Sequence, residues 1–330
     1  MRGAPLNTST EDTGAGMRFV AHQIAGIEDL SESVHGADLA VTQLSAAPCR
    51  GSLTHAIDGD MAMTLGGLTG DLRLRGVVAP EAVTLAVILE RGPSLTKWGL
   101  DIQAHDLVVY PARSEQEARC RGMTRYAVLK APLEVLQQRA AAFEHLADER
   151  CWSVEARLRP ARAAAIAQEI ARRLERLMRL GPGLEPQAQA GLRDEALEGF
   201  LTAVAEAGDR EPGRQVRINS ARILRQVEDY LDDRTGRGVP IPELCQALGL
   251  SRRTLNRAFE EGLGVGPRTY LRLRALSSAR KALVAGRQAG ASVTQVALDH
   301  GFWELGRFSV TYRTMFGESP SQTLRGPARG

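Results

Sequence analysis

Apolar positions along this chain follow two periods, and the change between them comes near residue 160. Before it the runs are short. "AVTLAVILE" (82–90) reads as a strand buried on both faces, and Met61-Met63-Leu65 and Leu72-Leu74 read as alternating strands. "GLDIQAHDLVVYPARSE" (99–115) predicts a strand, a tight turn and a second strand stopped by Pro111, whose ring removes a ladder donor. Many short strands between Gly and Asp-Gly turns predict a β-sandwich or barrel over residues 17–157, after a polar tail at 1–16.

After the change the period is helical. "PARAAAIAQEIARRLERLMRL" (160–180) places Ile166, Ile170, Leu174 and Leu177 on one stripe, opened by Pro160 and closed by Gly-Pro-Gly at 181–183. A second stripe runs through Leu192, Ala196, Leu197, Phe200, Leu201 and Val204. Together they predict a helical hairpin over 158–206, whose apolar face must cover the β body or a second copy of the chain. Polar "AGDREPGRQ" predicts a linker over 207–216. From 217 to 330 the pattern is all helical. Asn219 or Ser220 caps a helix with the face Ile223, Leu224, Val227, Tyr230 and Leu231; Pro242 opens a short helix ending at Gly249.

"ELCQALGLSRRTLNRAF" (243–259) joins that short helix to a second one capped by Ser251. Leu244, Leu248, Leu255, Ala258 and Phe259 form its inner face, with Cys245 the small residue at the crossing. Arg253, Asn256 and Arg257 are left outside, at helical neighbours. Arg can donate twice to guanine and Asn can pair twice with adenine in a major groove, while Arg252 and Thr254 at the helix start suit phosphates. The same skeleton recurs after 53 residues: Leu255, Phe259, Gly264 and Pro267 become Phe308, Tyr312, Gly317 and Pro320. Two helix-turn-helix units on one continuous helix (about 267–285) suit two major grooves about 34 Å apart.

Charge sharpens the division. The net charge of +3 conceals 19 Lys+Arg against 10 Asp+Glu from Gly213 onward, and 23 against 29 before it. A basic final third suits a polyanion partner, and equally a solvated surface. Length suits about two domains, and 43% apolar with 25% charged residues is ordinary globular composition. Cys49, Cys120, Cys151 and Cys245 have no paired spacing, which predicts reduced thiols in a cytoplasmic protein, and no run approaches a membrane span.

The joint pattern of the first unit, "GPRTYLRLRALSSARKAL" (266–283) and "VALDHGF…F…Y…FGESP" resembles the AraC/XylS transcription regulators over roughly 220–325. That resemblance implies a transcription activator that binds double-stranded DNA, works with RNA polymerase and carries a β-barrel domain for an effector or a homodimer contact. The implied fold class is α+β multidomain: a cupin-like β-barrel or sandwich, a helical connector, and an all-α double helix-turn-helix. By position the second helix would present Leu305, Gly306, Ser309 and Val310 to its groove, which suits thymine methyls, with phosphates held by Arg307, Arg313 and, from the bridging helix, Arg268. The chain departs from the family at Trp303–Gly306 in the second turn, at Ala275 where an Arg is usual (Arg274 stands beside it), and at "SQTLR" after Pro320.

Met61, Met63, Trp98 and Tyr110 could line an effector pocket, although for any one of them a place in the core is the commoner reading. Trp303 reads more readily as a packing residue than as a DNA contact. The alternative function is a cupin-like enzyme with an appended nucleic-acid-binding domain. Such a site needs clustered His, but "YPARSEQEARC" has none, and His22, His35, His55 and His105 lack a ligand spacing. No catalytic residue, metal or cofactor is therefore assigned, and no enzyme activity is expected.

Overall fold

The computed structural model describes residues 16–34, 37–141, 143, 146, 150–212, 219–234, 238–287 and 290–326. The strands form two antiparallel sheets. The larger runs, in spatial order, β1 (Arg18–Ile24), β3 (Arg50–Asp58), β4 (Met61–Thr69), β11 (Thr124–Ala131), β6 (Val83–Arg91), β9 (Leu107–Tyr110), β12 (Ala156–Pro160) and β13 (Ala207–Pro212). The smaller runs β2 (Ala37–Gln43), β5 (Asp71–Val78), β10 (Ser114–Arg121), β7 (Ser94–Lys97) and β8 (Leu100–Asp101). Apolar clusters join the two: Leu53 and Leu68 meet Leu72 and Leu74, and Ala86, Ile88 and Val108 meet Leu95 and Leu100. Of the two architectures the alternation allowed, this is the sandwich.

The outer face of the larger sheet is covered by helices. Val83, Leu85, Val87 and Leu89 of β6 meet Ile166, Ile170, Leu174 and Leu177 of α4 (Ala163–Leu180), over which α5 (Pro186–Ala205) folds back. With Thr84, Ala86 and Ile88 facing the smaller sheet, β6 has both faces buried, as its continuous apolar run predicts. Fully burying a side chain such as Leu174 contributes roughly 1.5–3 kcal/mol. The stripe of the hairpin therefore covers the β body and not another copy. Short helices α1 (Ile27–Ser33), α2 (Leu133–Ala140) and α3 (Arg150–Ser153) fill the edges.

Two boundaries differ from the sequence expectation. Pro160 ends β12 instead of opening α4, and Arg162 precedes the helix. Six of the ten residues of the expected linker, Ala207–Pro212, pair with β12 as β13; a polar run is acceptable on the edge strand of a sheet. Residues 213–216, like 1–15 and His35, lie outside the described residues.

The helical third docks on the outer face of the smaller sheet through α6 (Asn219–Asp232) and α9 (Pro267–Ala285). Alternation along β5 sends Leu72 and Leu74 inward and Arg73 and Arg75 outward. Arg73 donates to Glu228 of α6 at 2.8 Å and to Glu117 of β10 at 2.7 Å, all three side chains being at most 8% exposed. Tyr270 of α9 donates to Glu228, Arg225 to Glu117 at 2.9 Å, and Arg75 to Asp229 and Asp232. A second tie joins Glu28 of α1 to Arg280 of α9 at 2.6 Å, and Gln43 donates to Ser277 and to the carbonyl of Met315.

Burial alone would raise the Glu228 and Glu28 carboxyls, but the charge and hydrogen bonds of Arg73 and Arg280 hold both below the usual 4.5. A depressed carboxyl stabilises the folded state above its unfolded pKa and loses that contribution as pH falls through the folded value. Docking is therefore expected to weaken below about pH 4.5. Small-angle scattering of the full chain should show a growing maximum dimension there before helical circular dichroism is lost.

Candidate nucleic-acid interface

In the first unit, α7 (Ile241–Ala247) ends in a turn at Gly249, whose φ of +62° is strained for any residue with a Cβ. The amide of Leu250 donates back to the carbonyl of Cys245 at 2.9 Å. Ser251 then caps α8 (Arg252–Leu263), its hydroxyl accepting from the amide of Thr254 at 3.1 Å. Leu244, Leu255, Ala258, Phe259 and Leu263 are buried together, which leaves Arg252, Arg253, Asn256 and Arg257 exposed on the opposite face. Thr254 is half-buried, its hydroxyl 2.8 Å from that of Ser251. Arg257 donates to Glu261 one turn on, at 2.6 Å. Among the described residues no ion pair engages Arg252, Arg253, Arg268 or Arg313. The buried and exposed faces of α8 fall where the sequence places them, while Cys245 and Leu248 of the expected inner face are partly buried and α7 ends at Ala247, two residues before Gly249.

The second unit repeats the plan with α10 (Val293–Asp299), Gly301 at φ +81°, and α11 (Leu305–Phe316). The amide of Phe302 donates to the carbonyl of Ala297 at 2.9 Å, matching the turn bond of the first unit. Its turn is one residue longer: seven residues separate Gly301 from Phe308, six separate Gly249 from Leu255. Phe308, Tyr312 and Met315 are buried. Leu305, Gly306, Arg307, Val310 and Arg313 are exposed and Ser309 is half-buried, so the expected groove face is outward. Arg307 pairs with Glu304 at 3.0 Å. Trp303 is not a packing residue. It is 78% exposed, in a turn one residue longer than that of the first unit, and Leu305 and Val310 of α11 are exposed as well.

One helix belongs to both cores. Tyr270 of α9 packs on Phe259, rings 5.3 Å apart, while Leu276, Ala279 and Leu283 pack on Phe308 and Tyr312. Arg274 donates to Asp232 and so ties α9 to α6. The departure after Pro320 is accommodated: α12 (Pro320–Arg325) has a Ser319/Gln322 capping box, and buried Thr323 accepts from Tyr312 at 2.9 Å. Arg268 is exposed at the start of α9.

A second candidate site lies between the sheets, a cavity of about 130 Å³. Of the four residues expected to line a pocket, Tyr110 alone does so. Met61 and Met63 point from β4 toward α4, and its even positions, Ala62, Thr64 and Leu68, face the cavity. Trp98 sits behind Tyr110, rings 5.0 Å apart, with its indole N–H on the carbonyl of Glu115. Alternation was legible there, but which face was inner was not. His55 is a satisfied core histidine held by Thr64 and the carbonyl of Ser33.

Comparison with known proteins agrees with this geometry at the C-terminal end. A helix-turn-helix domain family model matches residues 244–326. The XylDLEGF operon transcriptional activator of Pseudomonas putida is 38% identical over 102 residues, which cover 31% of this chain and 32% of that protein. The chain thus spans about a third of that relative's length. The XylDLEGF operon transcriptional activator 2 of Pseudomonas putida is 37% identical over 125 residues, covering 38% of this chain and 80% of that one. Among solved structures, that of the AraC-like transcriptional activator CuxR is 14% identical with a TM-score of 0.40, over 85% of this chain and 99% of that chain.

Proposed function

Because this chain belongs to the AraC/XylS family of transcriptional regulators, we propose that it binds double-stranded DNA sequence-specifically, with α8 and α11 in adjacent major grooves. The observation that carries this reading is that α9 is shared by the cores beneath both helices, so the two outer faces move as one body. Arg253, Asn256 and Arg257 read base edges. Leu305, Gly306, Ser309 and Val310 meet thymine methyls and backbone, so most base discrimination comes from the first unit. Arg252, Thr254, Arg268, Arg307 and Arg313 hold phosphates. The protein acts in the cytoplasm as an activator alongside RNA polymerase, with an effector between the sheets. Dimerisation through α4 and α5 is not part of this reading, since their apolar stripe is already buried.

The cavity and the docked helices share two strands. Leu74 of β5 and Gln116 of β10 face the cavity, while Arg73, Arg75, Glu115 and Glu117 of the same strands hold α6. A ligand that shifts either strand changes the clasp directly, which supports effector control of the DNA-binding half.

The test is electrophoretic retardation of a duplex by the full chain at rising salt. Four arginines on phosphates should give a slope of log affinity against log salt of roughly −4. A flat dependence contradicts the assignment. Arg257→Ala should weaken a selected operator ~10- to 100-fold and relax its specificity, whereas Arg268→Ala should weaken every sequence alike. Releasing Arg257 to a base also requires it to leave Glu261, so Glu261→Gln should tighten binding slightly in the same assay.

A further inference from the structure

The cavity between the sheets has one chemical peculiarity. Its walls are largely aliphatic, and among the described residues that line it there is no Asp or Glu, yet the side chain of Lys97 is buried in it. The ammonium donates to the hydroxyl of Tyr110 and to the Gln116 side-chain carbonyl at 3.2 Å. Both partners are neutral. Burial keeps the Tyr110 hydroxyl protonated far above its usual range and pushes the Cys120 thiol up to about 11, so neither supplies a counter-charge. Burial pulls Lys97 itself down to about 8, which still leaves it mainly charged at neutral pH. A buried charge is normally paired, because desolvation is costly. Nearby on β6, the hydroxyl of Thr84 lines the same cavity and is buried without a hydrogen-bond partner. The volume, about 130 Å³, is close to the ~150 Å³ of an apolar cavity that takes up benzene.

We propose that the cavity binds a small organic monocarboxylate, its carboxylate ion-paired to Lys97 Nζ and its compact apolar body against the aliphatic side chains of both sheets. The unpaired Thr84 hydroxyl donates to the ligand or to a water held beside it. This assignment of ligand class rests on the reading of the sandwich as the effector domain. Amines are excluded by charge, since they would add a second cation beside Lys97 and near Lys130, which lines the same cavity. Alcohols of equal size would fill the space but leave the ammonium without a counter-ion.

Calorimetric titration of the full chain, without DNA, with butanoate, hexanoate and octanoate tests the proposal, with hexan-1-ol and hexylamine as controls. At least one alkanoate should bind saturably, at least 10-fold tighter than hexan-1-ol, with hexylamine not binding. Lys97→Met and Lys97→Gln should each lose that preference while retarding duplex DNA at low salt as the parent does, which shows that they are folded. Equal binding of acid and alcohol, or undiminished hexanoate binding by the folded Lys97→Met protein, overturns it. Operator affinity with and without hexanoate is measured separately. If hexanoate binds as expected and operator affinity does not move, the ligand class stands and effector control fails.

Discussion

Replacing Arg253 and Asn256 together by alanine should abolish most sequence discrimination while leaving the fold intact. Each bidentate contact to a base is worth ~1–3 kcal/mol of discrimination, so the pair should lose about 2–6 kcal/mol against a scrambled duplex. Both side chains are exposed and neither is engaged in an ion pair among the described residues, so the thermal midpoint should stay within a degree or two of the parent's. The residual binding should resemble the parent's non-specific binding, with nearly the same salt slope, because Arg252, Arg268, Arg307 and Arg313 remain. Competition retardation with selected and scrambled duplexes gives the answer. Undiminished discrimination in the double variant would remove Arg253 and Asn256 from the reading of bases and leave it to Arg257 or to α11, where Leu305 and Val310 are exposed.

The second large effect concerns the clasp. Arg73→Ala should destabilise the docked state by about 3–5 kcal/mol, the usual range when one member of a buried ionic group is removed. It leaves Glu117 and Glu228 buried near each other with their shared cation gone. Two carboxylates in that position repel, and one is driven to hold a proton. The deficit should therefore shrink as pH falls from 7 toward 5, opposite to the parent's loss in acid. Chemical denaturation at both pH values measures this. A loss under 1 kcal/mol at pH 7, or one that grows on acidification, would mean that water reaches the cluster.

The two halves of the chain were unequally legible. The double helix-turn-helix could be read because its information is local: Ser251, Gly249, Leu255 and Phe259 each specify a cap, a turn or a buried face within a few residues. The strand at 82–90 was legible for the same reason. The clasp was not, because Arg73 and Glu228 lie 155 positions apart and nothing in either neighbourhood announces the other. The alternation Leu72, Arg73, Leu74, Arg75 did hold half of the signal: it shows that one face of β5 is charged, though not that a helix waits there. The same limit explains the pocket residues. Period two says that Met61 and Met63 share a face, but only the position of α4 decides that this face lies away from the cavity. Trp303 was misplaced because side-chain character alone does not reveal that it stands exposed in a turn one residue longer than that of the first unit.

Helix α9 runs unbroken over 19 residues, about 28 Å at 1.5 Å per residue, with its two ends embedded in different cores. Such a strut contains no joint at which an error in the operator could be absorbed. Each base pair added between the half-sites rotates the far one by about 34–36° around the DNA axis, so five would carry it to the opposite side. On the proposed binding mode, a protein built this way would measure the phase of its binding site as well as its letters, and the duplex, being the softer partner, would have to do the bending.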